Sequence, residues 1–336
     1  MKKNDYFKLT TAQQRMILEQ TAIKQGLPKQ AIEKDLWVTT ILQIVFSLPC
    51  AENLVFKGGT SLSKVWGLIN RFSEDIDLAI DRSVFELDGD LTKKQVKKLR
   101  KASSIFVRDE LYSQLVETIN HTSLKDKCQI EAEPDGDGDA TYPEPRSIFV
   151  RYQSVFEDKL AYIPPVVKIE AGARSLLEPY DEAQLFSMVE EVLPTISTTQ
   201  VDIKIKTAIA EKTFLEKAFL LHELFSVNKH VDAKRRSRHI YDLHMMMKKG
   251  IVNKAIANDE LWQTILHHRS TLTSMQGVDY DADIKKNIRL IPSSESLANW
   301  EKDYEDMSSA MIYGERPSFT ELLESMHKLE LLFKKV

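Results

Sequence analysis

The stretch Phe56–Ile80, FKGGTSLSKVWGLINRFSEDIDLAI, leaves few folds open to this chain. The apolar run Leu54-Val55-Phe56 stops at Gly58-Gly59, and Asp75-Ile76-Asp77-Leu78 alternates acid with apolar residue. A period of two marks a strand whose successive side chains face opposite ways. Both carboxylates then share one face and the apolar residues back onto a core. The stretch reads as a strand, a glycine turn, a helix over Ser61–Asn70 and a strand over Asp75–Ile80. Two carboxylates so close repel unless a cation lies between them. Mg²⁺ suits the pair, because it binds through one or two carboxylates together with substrate phosphates. The glycine turn suits those phosphates: it lets the backbone approach them, and a following helix start offers unpaired N–H groups.

Around this stretch, residues 10–48 read as two helices, the first capped by Thr11 and broken near Gly26-Leu27-Pro28, the second over Lys29–Ser47. Lys93–Ile119 reads as one long helix with a basic start, KKQVKKLRK. Ser147–Val155 and Val166–Ala171 are strand-like, and from Thr199 onward the pattern is helical almost to Val336. The fold class expected is α+β: a small mixed-sheet core flanked by helices, followed by a C-terminal helical domain. The domains expected are N-terminal helices over 1–50, the core over 51–190 and the helical domain over 191–336. With 43% hydrophobic and 29% charged residues in 336, the composition is that of an ordinary soluble protein. The net charge of −4 leaves nucleic acid open, since local patches matter more than the sum. Two cysteines, Cys50 and Cys128, point to a reducing, cytoplasmic setting without a disulfide framework. The start MKKNDYFKLT lacks the apolar run of a secretory signal, and no stretch approaches a membrane span.

Further residues carry candidate chemistry, each beside a plainer reading. Glu170, on an apolar-acid-apolar strand, is a third carboxylate that would suit two-metal phosphoryl transfer; for Asp75 and Asp77 the plainer reading is a solvated strand face. Thr60 and Ser61 offer hydroxyls to a phosphate, or simply cap a helix. Lys217 lies on an apolar helical stripe, where an ammonium either snorkels or meets an anion such as a nucleotide phosphate. Arg238 and Asp242 stand at i and i+4: either a surface ion pair, or an arginine for phosphate and a carboxylate orienting Lys217. With the lysines at 93–101, the basic run Lys234-Arg235-Arg236 is either a nucleic-acid track or a solvated face. Asp135, Asp137 and Asp139 start like a calcium loop, but Ala140 and Arg146 stand where such a loop needs glycine and glutamate, which leaves an acidic loop.

Taken together, KGGTSLSK, RFSEDIDL, VKIEAGARSLLEP at 167–179, TFLEKAFLLHE at 213–223 and RSRHIYDL at 236–243 resemble the AbiEii/AbiGii-type nucleotidyltransferase toxins of the DNA polymerase β-like superfamily. Glu33-Lys34-Asp35-Leu36-Trp37 resembles the N-terminal segment of that family. The resemblance implies Mg²⁺-dependent transfer of a nucleoside monophosphate from an NTP to an acceptor, most often tRNA. It also implies a toxin role with a cognate antitoxin, in toxin–antitoxin or phage-defence systems. By position it implies Asp75 and Asp77 as metal ligands, and Lys217, Asp242 and Glu170 as further catalytic residues. Lys57, Gly58, Gly59, Thr60, Ser61, Lys64, Ser73 and Arg238 fall on the nucleotide side. One departure is a longer gap between Gly59 and Asp75 than is usual in the superfamily. Transfer to a protein hydroxyl, a regulatory nucleotide pocket without turnover and a purely structural acidic pair stay open.

Overall fold

A computed structural model describes residues 4–137, 141–158, 163–198, 203–227 and 232–335; Asp139 of the acidic loop lies outside them. The chain forms two compact units, Met1–Val65 with Ser73–Ala208 and Trp66–Phe72 with Ile209–Val336.

In the first unit, β1 (Asn4–Asp5) precedes α1 (Thr11–Gln25) and α2 (Lys29–Val45). The cap of α1 is Thr10 and not Thr11: the Thr10 hydroxyl accepts from Gln13 N–H while the Gln13 side chain accepts from Thr10 N–H. Then follow β2 (Leu54–Lys57), α3 (Gly58–Lys64), β3 (Asp75–Ile80), α4 (Lys93–Phe106), α5 (Tyr112–Asn120), β4 (Cys128–Ala132), β5 (Arg146–Tyr152), β6 (Val166–Gly172), β7 (Tyr180–Ala183), α6 (Met188–Val192), β8 (Ile196–Ser197) and β9 (Ile205–Ala208). A π-helical turn over Val107–Leu111 joins α4 to α5, so the long helix expected from Lys93 continues with one local widening.

Seven of these strands form a mixed sheet in the order β4-β5-β6-β3-β2-β9-β7, with β3 parallel to β6, β2 parallel to β9 and the other neighbours antiparallel, while β1 pairs with β8 apart from it. Ile76, Leu78, Phe56 and Ile169 are fully buried on one face, and α2 packs against β3 and β6. On the opposite face Val55, Ala79 and Ala208 make a small apolar patch with Leu177 and Tyr180. The strand at 205–208 corrects the expectation of unbroken helix after Thr199: Ile205–Ala208 is extended because it completes ladders with β2 and β7.

Three consecutive charges on α2 are buried, and each ties down another segment. Glu33 accepts from the Ser154 hydroxyl (2.6 Å) and Val155 N–H (2.8 Å). Lys34 pairs with Glu74 at 3.0 Å and donates to the Pro164 carbonyl at 2.9 Å. Burial pushes the Lys34 ammonium down, and Glu74 works against that shift. Asp35 pairs with Lys64 and accepts from Met188 N–H at 2.8 Å. One helix thus anchors the residue before β3 and the last residue of α3. Breaking either buried pair from one side costs about 3–5 kcal/mol.

The second unit is helical: α7 (Ala210–Ser226), α8 (Ser237–Lys248), α9 (Ile251–Ala257), α10 (Asp259–His268), α11 (Ile284–Asn287), α12 (Leu297–Met311) and α13 (Phe319–Phe333). Phe219, Trp262 and Phe333 pack as tilted ring pairs through its core, with centroids 4.4 and 5.3 Å apart. Buried Glu223 accepts from Arg269 Nε (2.7 Å) and from the Tyr280 hydroxyl (2.7 Å). Trp66–Phe72 belongs to this unit, which corrects the expected helix over Ser61–Asn70. The helix ends at Lys64, Gly67 takes a left-handed φ of 58°, and the following residues extend to bond with 311–313. There Phe72 N–H donates to the Met311 carbonyl (2.7 Å) and Tyr313 N–H to the Asn70 carbonyl (3.0 Å). No helix of the described residues is long and apolar enough to cross a membrane.

Candidate active site

In the first unit the strand pattern places the acids as their alternation demands. Asp75 and Asp77 are half-buried on one face of β3, while Ile76 and Leu78 are buried on the other. Across the ladder Asp77 lies in register with Lys57 of β2 and Glu170 of β6, and Asp75 with Lys168. The row Lys57–Asp77–Glu170 is therefore one line of charge across three strands. Glu170 is held by Lys168 at 2.8 Å, and among the described residues no group of three His, Cys, Asp or Glu side chains gathers around one metal position. The donor set is the Asp75–Asp77 pair: hard oxygens side by side on a firmly backed strand, which fit a hard divalent cation.

Gly58 begins α3 directly beside this pair. Its φ of 81° lies in the left-handed region, and a Cβ built on it would stand 2.1 Å from Asp77 Oδ2. Only glycine lets the turn and the carboxylate come so close. Gly59 occupies the first turn of α3, which takes no side-chain cap.

The hydroxyls expected at a phosphate face inward. Thr60 Oγ1 donates to the Asp75 carbonyl (2.6 Å) and lies 2.9 Å from Ser73 Oγ. Ser61 Oγ donates to the Gly58 carbonyl at 2.8 Å. Both residues are fully buried. Through these bonds they fix the turn and the strand that the turn faces. Lys64, expected on the nucleotide side, has its ammonium paired with Asp35 of α2. The acidic loop is likewise structural at Asp135, which pairs with Arg146 and Arg108, each at 2.8 Å.

The second unit holds the other candidates. Asp242 of α8 is fully buried and bound by Arg71 through both oxygens, Nε to Oδ1 at 2.7 Å and Nη2 to Oδ2 at 2.8 Å. Lys217 of α7 reaches Asp242 Oδ2 at 3.0 Å and lies 3.4 Å from His239 Nδ1. Burial alone would raise the Asp242 carboxyl, but the Arg71 and Lys217 charges hold it well below the carboxylate range. Burial lowers the Lys217 ammonium, with Asp242 opposing and Arg71 adding to the shift. Burial and the neighbouring Lys217 push His239 down, so it stands neutral. Arg238 is half-buried one residue before it. A carboxylate already met by a bidentate guanidinium does not fully neutralise a second cation. The cluster therefore suits an anion at Lys217.

Arg71 and His239 had no role in the sequence reading. The signal for Arg71 was its setting, an arginine between Leu68-Ile69 and Phe72, where a charge must either find a partner or be expelled.

A family model described as the nucleotidyl transferase AbiEii toxin of type IV toxin–antitoxin systems matches residues 41–325. Among solved structures the chain is similar to MenT4, the nucleotidyltransferase toxin Rv2826c from Mycobacterium tuberculosis H37Rv, at 15% identity and a TM-score of 0.48, over 97% of this chain and 98% of that one. No curated protein sequence matches it significantly.

Proposed function

Because the chain belongs to the AbiEii family of nucleotidyltransferase toxins of type IV toxin–antitoxin systems, we propose that it transfers a nucleoside monophosphate from an NTP to an RNA acceptor, tRNA above all, with Mg²⁺ held by Asp75 and Asp77. The observation that carries this reading is the acidic pair on one strand face, beside a glycine that has no room for a side chain. When bound, the cation would supply charge neutralisation for the triphosphate. Gly58 and Gly59 let the phosphates lie against the backbone. Thr60, Ser61 and Ser73 keep the turn and β3 in fixed relation, so that little reorganisation is needed. The acceptor hydroxyl gives up its proton to solvent and its oxygen attacks the α-phosphorus. The bond to the β-phosphate oxygen breaks, and pyrophosphate leaves. Lys217, oriented by Asp242, and Arg238 are assigned to phosphate charge from the motif resemblance. Lys57 and Glu170, in register with Asp77, are assigned to the rim of the same sheet face.

The test is incubation with each α-labelled NTP, Mg²⁺ and either tRNA or a protein extract. Label on tRNA is expected, and its loss by at least about 100-fold in Asp77→Ala, the scale set by removing a charge-stabilising group. Label on protein moves the acceptor to a protein hydroxyl. NTP bound but never consumed points to a regulatory pocket. A fully active Asp77→Ala enzyme would remove the cation from the proposal.

A further inference from the structure

The first unit carries a second charged feature that the acidic pair does not use. The outward face of α4 presents Lys93, Lys94, Lys97 and Lys98, all exposed, and Lys101 continues it. At i, i+4 and i+8, Lys93, Lys97 and Lys101 make a row of about 12 Å along the helix, with Lys94 and Lys98 beside it. Among the described residues Lys93, Lys94, Lys97 and Lys98 have no ion-pair partner. The chain as a whole has net charge −4, so five such lysines on nine residues of one helix are a strong local departure. The opposite face of α4, with Leu99, Ser103 and Phe106, is already buried.

We propose that the lysine face of α4 docks the phosphate backbone of a nucleic-acid acceptor. The inference rests on the transfer reading above. Ser103 Oγ accepts from Ala173 N–H at 3.1 Å, just past the end of β6, three residues beyond Glu170. The Lys101 end of the row thus lies at the end of α4 that is tied to the close of β6. Lys101 Nζ also lies 5.1 Å from the centre of the half-buried Tyr142 ring, which adds an aromatic surface beside the row. Charge complementarity selects the partner. A protein interface is built around apolar and aromatic anchors and is poor in lysine. A membrane-bound helix needs an apolar face to insert, and that of α4 is spent inside the unit. Exposed lysines at helical spacing without anchors match a continuous line of phosphates, whose binding releases counterions.

The experiment replaces Lys93, Lys94, Lys97 and Lys98 together by Gln, which keeps helix propensity, and a second variant places Arg at the same four positions. Circular dichroism and thermal melting check that both fold. Binding of labelled tRNA is measured between about 50 and 200 mM KCl. The Gln variant is expected to bind at least about tenfold more weakly at low salt, with a log Kd against log salt slope shallower by about 3, from 0.7–0.9 per phosphate contact. Its KM for tRNA rises, while kcat at saturating tRNA and the Kd for NTP stay unchanged; the Arg variant restores binding. Unchanged affinity and slope in the Gln variant, or a wild type that binds no tRNA at low salt, overturns the inference. So does polyglutamate competing as well as tRNA at equal charge. Wild-type label on protein with the slope change intact would sink the tRNA acceptor and keep the surface. Label on tRNA with an unchanged slope would do the reverse.

Discussion

Gly58 is the residue on which the acidic site is most exposed to a single change. An alanine there would adopt a left-handed φ at about 1–2 kcal/mol and push its methyl into Asp77. Gly58→Ala is therefore expected to lower Tm by a few degrees and to cut transfer far more than stability explains. Paired melting and NMP-incorporation assays check this, and normal turnover would show that the carboxylate moves aside freely. His222 gives a second test at this scale. It accepts from Arg289 N–H at 3.1 Å through Nδ1, and burial, opposed by Glu223, pushes it down to about 4. The native state thus holds the ring neutral while the unfolded chain protonates it near 6.5. Its contribution is complete above that value and is lost as pH falls from about 6.5 to about 4, up to about 3 kcal/mol in total. His222→Gln should flatten the stability curve in that window, as denaturant melts across pH would reveal.

Among the elements, α2 and α3 show what could and could not be read from sequence. The Asp75–Ile80 strand was legible because alternation is a local pattern, and so was the glycine turn. The end of α3 was not, since Trp66–Phe72 is drawn straight by bonds to residues more than 200 positions away. Ile205–Ala208 was hidden for the same reason: four residues become a strand only when β2 and β7 flank them. The burial of Glu33, Lys34 and Asp35 was equally invisible, because charges on a helix ordinarily mark its wet side. Lys64 turns this into an experiment. Asp35→Leu alone is expected to cost about 3–5 kcal/mol by stranding a buried ammonium, and the double change with Lys64→Met to recover most of it. If Lys64 belongs to Asp35 and not to the triphosphate, the double variant keeps its NTP affinity. A tenfold loss in that variant would return Lys64 to the nucleotide.

At the scale of the whole molecule, the chain passes from one unit to the other after Val65, Phe72 and Ala208. Residues 66–72 find their partners, Asp242, Met311 and Tyr313, in the part of the chain that comes later. A fragment ending at residue 208 keeps Asp75 and Asp77 but takes those partners away. It should be cut by protease within 66–72 at least about tenfold faster than the full chain, since local opening governs cleavage, and it should be inactive. Equal resistance would mean that the segment holds its shape unaided.

The passage through Trp66–Phe72 has an evolutionary corollary. A polypeptide that visits its second half before completing its first cannot be dealt out to two genes, nor exchange one half for a stranger's, without tearing the seven-residue loan between its glycine turn and its acids. Lineages that shuffle whole modules at a single junction are closed to it, and the two halves must be inherited, and altered, together.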